Sequence, residues 1–254
     1  MTWSAYRVCK VEIGSNIVIH RVDLDGHWYA ECSSHCTRET EFNSGMSEQI
    51  RAYRPESASR QRATIDATSQ GRTTGPIVKP EWKVGSEWAY RYESPSGSGT
   101  FVSRLDRIEK LANEPHYVIR AGSLEVFYRV EDRGFTKETL NGRTLREISP
   151  PAAWKWVTFP LQVGLSWDMK YVETRPTEQQ TRNIERRCVA ETEEALTVPA
   201  GTFATIRIVC RNSHTGAWVG TLWYSPEVTY MVKEEFTLGR NSRELRELLM
   251  FKLK

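Results

Sequence analysis

From Pro80 to Lys254 the apolar residues fall repeatedly at every second position. Trp88, Tyr90 and Tyr92 alternate with charged or small residues, and Phe101, Ser103 and Leu105 share one parity in the next such run. Leu124 to Val130 continues the mix of aromatic and β-branched residues, and Ile206, Ile208 and Cys210 alternate again further on. A period of two places every other side chain on one face, the pattern of a strand with one buried side. The runs are short and are separated by turn-forming clusters: Ser96-Gly97-Ser98-Gly99, Asp132-Arg133-Gly134, Asn141-Gly142 and Ser213-His214-Thr215-Gly216. Asn141-Gly142 favours the positive backbone angles of a two-residue hairpin. The pattern predicts an all-β fold over residues 80–254, a large antiparallel sheet curved into a sandwich or half-barrel.

One phrase occurs twice. Val84-Gly85-Ser86-Glu87-Trp88 leads to Tyr92, and Val163-Gly164-Leu165-Ser166-Trp167 leads to Tyr171. The shared V-G-x-x-W-x-x-x-Y predicts a glycine turn that opens a strand, used at two places in the same sheet. At the end of the chain Leu245, Leu248 and Leu249 fit a helix, whereas Leu249, Phe251 and Leu253 alternate as in a strand. The strand is preferred for the last half of this tail, because Val228 to Leu238 supplies an antiparallel neighbour.

The pattern is weaker ahead of Pro80. Residues 1–40 predict a small β-rich extension, with Ile17-Val18-Ile19 and Trp28-Tyr29-Ala30 flanking an Asp25-Gly26 turn. Residues 41–79 are polar with almost no apolar period and read as a disordered linker. With 254 residues, 39% of them hydrophobic, the chain can bury a sizeable core. Its 35 basic and 32 acidic residues are spread along the chain, unlike the concentrated basic face of a nucleic-acid binder. No apolar run approaches the roughly 18 residues of a spanning helix. The first thirty residues lack the features of a secretory signal, which places the chain in the cytoplasm if Met1 is the true start.

The cysteines point the other way. In the predicted hairpin around Val198-Pro199-Ala200-Gly201, Cys188 and Cys210 stand equally far from Pro199. Unless a bulge shifts the register they face each other within disulfide range, on the face of Ile206 and Ile208. The alternative is two reduced, buried thiols. A disulfide would indicate an oxidising compartment.

The same hairpin carries a family likeness. Thr197-Val198-Pro199-Ala200-Gly201-Thr202-Phe203, then Leu222-Trp223-Tyr224-Ser225-Pro226-Glu227-Val228 and Val232-Lys233, together with the repeated phrase, resemble bacterial envelope proteins of the DUF3108/TapB-like kind. The resemblance covers residues 80–254; Val228-Thr229-Tyr230 departs from it where a glycine often follows. It implies a large antiparallel half-barrel or sandwich, export to the envelope and no established enzymatic role. It also implies a loose likeness to periplasmic carriers whose curved sheets hold acyl chains.

Trp88, Trp154, Trp156, Trp167 and Trp223 are the candidate ligand-binding residues, since large aromatics on a concave sheet suit apolar guests. Core packing is the competing reading for each. Trp154-Lys155-Trp156, after Pro150-Pro151, reads as a partly exposed loop that forms a lip over a cavity, touches a membrane surface or docks on the end of the sheet. Cys32, His35 and Cys36 are weak zinc candidates, because a strong site pairs two short-spaced ligand couples and one is evident. No cofactor is expected. G-x-S-x-G, S-x-x-K, H-E-x-x-H and G-x-x-x-x-G-K do not occur. Glu193-Glu194 and Glu234-Glu235 read as solvated edge charges, because adjacent strand residues point to opposite faces. His116 and His214 have no nucleophile close in sequence. The expected function is a non-catalytic envelope protein that binds a lipid, another apolar or amphipathic ligand, or an envelope protein. The alternatives are a module that pairs through strand edges, or an unrecognised hydrolase.

Overall fold

In a computed structural model of the protein, residues 75–239 and 242–254 are described in full, and Arg7–Ile13, Asn16–Val22 and Cys36–Thr37 by their backbone. The chain divides into two units, Met1–Ser69 and Gln70–Lys254. In the first, β1 (Arg7–Ile13) pairs antiparallel with β2 (Asn16–Val22) and with β3 (Cys36–Thr37), in the order β2-β1-β3. Ile17-Val18-Ile19 therefore lies in β2, and Cys36 opposes Cys9. Asp25-Gly26, Trp28-Tyr29-Ala30, Cys32 and His35 lie outside the described residues.

The second unit is a closed barrel of twelve antiparallel strands. They are β4 (Glu87–Ser94), β5 (Gly97–Leu111), β6 (Glu114–Ala121), β7 (Leu124–Arg129), β8 (Phe135–Leu140) and β9 (Arg143–Ser149), followed by β10 (Ser166–Arg175), β11 (Gln180–Val198), β12 (Gly201–Asn212), β13 (Trp218–Ser225), β14 (Tyr230–Gly239) and β15 (Ser242–Lys252). Each strand pairs with its neighbours in sequence, and β15 returns to β4 through Phe251↔Trp88 and Lys252↔Glu87. The expected sandwich or half-barrel thus goes one step further: the last strand satisfies the backbone groups that an open sheet would leave along β4. The tail is a strand over all of Ser242–Lys252, longer than the last half expected, because the 2-residue period outweighs the helical one.

Some strands follow the predicted parity, whereas β6 and β13 bury runs of consecutive residues. In β10, Met169 and Tyr171 are buried while Ser166, Asp168 and Lys170 face water. Apolar inside and charged outside is the reverse of a membrane-spanning barrel, whose lipid face is an apolar band. Asn141 and Gly142 adopt φ 50° and 76° between the paired Leu140 and Arg143, the predicted two-residue hairpin.

The repeated phrase is a real structural device. Gly85 and Gly164 turn the chain at φ 91° and 87° just before β4 and β10. The Gly85 amide donates to the Leu105 carbonyl (2.8 Å) and the Leu105 amide to Ser86 (2.9 Å). Gly164 and Leu165 make the same two bonds with Ala190, at 2.8 and 2.9 Å. Both contacts sit at a bulge, between Leu105 and Arg107 in β5 and between Ala190 and Thr192 in β11. The extra residue is acidic each time and pairs with an arginine on the next strand: Asp106 with Arg120 at 3.3 Å, Glu191 with Arg207 at 2.9 Å. The barrel is therefore two quasi-equivalent halves, β4–β9 and β10–β15.

That bulge also decides the disulfide. Near the hairpin tip Val198 opposes Gly201, so the turn centres between Pro199 and Ala200 rather than on Pro199. An unbroken ladder from there would set Cys188 against Arg211. The bulge at Glu191 shifts the register by one residue, and Cys188 meets Cys210 with Cα atoms 4.1 Å apart, joined as a disulfide. Both sulfurs are buried beside Ile206 and Ile208.

Candidate functional site

Eight strands already enclose an interior just wide enough for their own side chains. Twelve leave more room, and two non-strand segments help fill it. Ile77, inside the predicted linker, is buried and bridged to Leu161, with N–H···O distances of 2.7 and 2.8 Å. Ordered packing therefore begins before Pro80. The second segment runs from Pro150 to Leu161 between β9 and β10, with cis peptide bonds at Ser149–Pro150 and Phe159–Pro160. Its Trp154 is buried rather than partly exposed: the ring stacks on Tyr171 (5.7 Å, 5°) and the carbonyl accepts from Phe135 N–H at 2.8 Å.

Asp132, in the turn after β7, clamps this segment. It receives the Arg129 guanidinium and the Lys155 ammonium, both at 2.6 Å, and the Gly134 amide at 3.1 Å. Burial alone would raise the Asp132 carboxyl, but these donors outweigh it and hold it well below the usual carboxylate range.

Between the segment and β4, β5, β13, β14 and β15 remains a cavity of about 120 Å³. Its apolar lining comes mainly from Trp82, Tyr90, Phe101, Tyr128, Trp156 and Phe159. Its polar lining comes from Tyr224, Tyr230, Glu234, Arg246 and Arg133. Glu234 is buried and faces Arg246 at 3.4 Å, while Arg246 Nε donates to Glu244 at 2.5 Å. This corrects the reading of Glu234 as a solvated edge charge: closing the sheet turns its face inward. Burial raises the Glu234 carboxyl above its ordinary value against the pull of Arg246. Burial opposes charge on Arg246 too, yet Glu234 and Glu244 hold it above the usual arginine value. Tyr90 donates to the Met231 carbonyl at 2.6 Å. Burial lifts Tyr90 and Tyr230 well above 10 and Tyr128 to about 12, so all three stay protonated at neutral pH.

Arg133 is different. It is 8% exposed, its guanidinium lies 3.9 Å from the Trp82 ring centroid, and it donates to the carbonyls of Pro80 and Thr229. Among the described residues none of the ion pairs includes it. Its Nε and the Tyr224 hydroxyl are buried without a well-formed hydrogen bond, although the hydroxyl lies beside the guanidinium and supports its charge.

Of the five candidate tryptophans, Trp156 lines the cavity. Trp88 is fully buried and donates to the Val228 carbonyl at 3.0 Å, and Trp154 belongs to the core around Tyr171. Trp167 is half-buried and donates to the Lys155 carbonyl at 2.8 Å. Trp223 points to the outer face, donates to Glu194 at 2.5 Å and lies under Lys233. His116 is buried against the Thr136 hydroxyl (3.0 Å), and His214 sits exposed 3.3 Å from Glu185. Arg133, Glu234 and Arg246 escaped the sequence reading; a charged residue at a core parity, as Glu234 is between Val232 and Phe236, is the signal that could have found one of them.

The fold and its lumen define an all-β closed-barrel protein with an internal cavity that is partly polar. No protein-family model matches the chain, and no curated protein is detectably similar to it. Solved structures share some of its shape. A protein of YmcC-like fold from Bacteroides fragilis is 13% identical, with 70% of this chain and 100% of that one covered and a TM-score of 0.38. The hypothetical lipoprotein YmcC of Escherichia coli is 12% identical over 65% and 83% of the two chains, with a TM-score of 0.35.

Proposed function

We propose that the protein is a non-catalytic, exported binding protein that holds a small amphipathic or apolar ligand inside its barrel. The observation that carries this is the cavity itself, a gap in an otherwise packed lumen lined by aromatic rings and a few polar groups, the usual make-up of a small-molecule site. Its size limits the guest. A cavity of about 150 Å³ takes one benzene, so 120 Å³ puts a single ring at the upper limit of the guest and excludes a full acyl chain in this conformation. Export is supported by the Cys188–Cys210 disulfide. Membership of the DUF3108/TapB-like family, from the segments around Pro199 and Trp223, is part of the same reading. Pairing through strand edges is disfavoured, since every barrel strand has two neighbours; among the described strands β2 and β3 are the edges.

Trp82 and Trp156 report on occupancy. Titration with toluene or indole, followed by tryptophan emission and native mass spectrometry, is expected to give a saturable one-to-one complex. The absence of any saturable binding by such compounds overturns the reading. Gel-shift labelling with a maleimide, with and without reductant, checks the export part: Cys188 and Cys210 are expected to label in unfolded protein only after reduction.

A further inference from the structure

We propose that Arg133 is the anchor for an acidic group, so that the cavity takes a small carboxylate with benzoate as its upper limit of size. This rests on the cavity being a binding site and adds the chemistry of its ligand. A guanidinium removed from water is costly unless paired, and Arg133 is buried with two backbone carbonyls and the Trp82 and Phe159 rings for company. The other cation of the lining, Arg246, already has Glu234 and Glu244. Arg133 is therefore the cation of the lining that no carboxylate faces among the described residues.

Two buried polar atoms of this same lining, Arg133 Nε and the Tyr224 hydroxyl, lack a well-formed hydrogen bond, although the hydroxyl lies beside the guanidinium and supports its charge. One is a donor and the other can donate, so an acceptor with two oxygens satisfies both at once. A carboxylate has that form and makes the stronger, charge-assisted kind of bond. Glu234 on the same lining opposes the second charge of a phosphate, and the volume leaves space for one ring against the aromatic walls. Burial pulls Arg133 down to about 10, which leaves it charged at neutral pH.

Calorimetric titration of the full chain with benzoate and with its neutral isostere benzamide, at pH 7, tests this. Benzoate is expected to bind at least about tenfold more tightly, the discrimination of a hydrogen bond to a charged group. Arg133→Met is expected to abolish that preference, and Tyr224→Phe to reduce it several-fold. Equal binding of both compounds by the wild type, or a preference that survives Arg133→Met, overturns the anchor while the cavity stands as a site for neutral guests. Binding of neither compound overturns the anchor, and failure of toluene and indole as well removes the binding reading beneath it. Should Arg133→Met not fold, the wild-type preference and Tyr224→Phe decide.

Discussion

Cys188 and Cys210 close a loop with a sequence separation of 22, and loop-closure arithmetic gives about 3 kcal/mol for such a bridge. Changing both to alanine is expected to lower the unfolding free energy by about that amount, read from urea melts. Asp132 should set the acid limb of the stability profile. Its carboxyl is depressed in the folded state, so its contribution is complete above the pKa of an unfolded aspartate, about 3.9, and is lost as pH falls below it. Glu234 works in the opposite sense. Its raised pKa means that the folded protein binds that proton more tightly, and stability declines as pH rises from about 4.3 through the raised value. Asp132→Asn is expected to flatten the acid-side slope and Glu234→Gln the slope above it, both measurable as denaturant midpoints against pH. The disulfide was legible from index symmetry and turn chemistry, although it forms because a bulge at Glu191 offsets the true turn centre. Arg133 was not legible: in sequence it belongs to a polar turn, Asp132-Arg133-Gly134, and only the packing of Trp82 and Phe159 around it makes it an interior residue.

Among the elements, the strands and their turns could be read from period and glycine placement, whereas the segment from Pro150 to Leu161 could not. Its residues follow no period, since each is fixed by what it touches rather than by a ladder. Gly134 shows how closely it fits. A Cβ there would overlap the Ala152 carbonyl oxygen and side chain, so the β7–β8 turn and the segment meet backbone to backbone. Gly134→Ala is expected to destabilise by about 2 kcal/mol through overpacking and to disturb the cavity's tryptophan signal. Gly164 is the contrasting case. Nothing lies near its missing Cβ, but φ is 87°; Gly164→Ala therefore tests backbone strain alone, with an expected loss of about 1 kcal/mol or more and unchanged binding of small aromatics. Equal effects on binding from both variants would contradict this division between a turn that opens a strand and a turn that abuts the lumen.

At the scale of the whole molecule, closure was the feature the local pattern could not announce, because strand parity is the same in an open sheet and a closed one. The pairing of β15 with β4 is also the barrel's one long-range pairing; every other ladder joins successive strands. The first and last strands of this unit are accordingly neighbours, with the Lys254 amide 3.2 Å from the Ser86 hydroxyl. A circular permutant opened at the Asn141-Gly142 hairpin, with a long flexible linker from Lys254 to Gly75, is expected to regain the barrel and the disulfide, by circular dichroism and thiol titration. Contacts distant along the chain are slow to form because the loop they close costs entropy in advance. The order of assembly follows: hairpins zip one after another, and the ring completes last. Until then two long, unsatisfied margins face whatever surrounds the nascent chain, and these are templates for aggregation. The finished protein hides that hazard entirely within its barrel, so whatever guards the chain during its synthesis or passage is needed only for the interval before the final strand arrives.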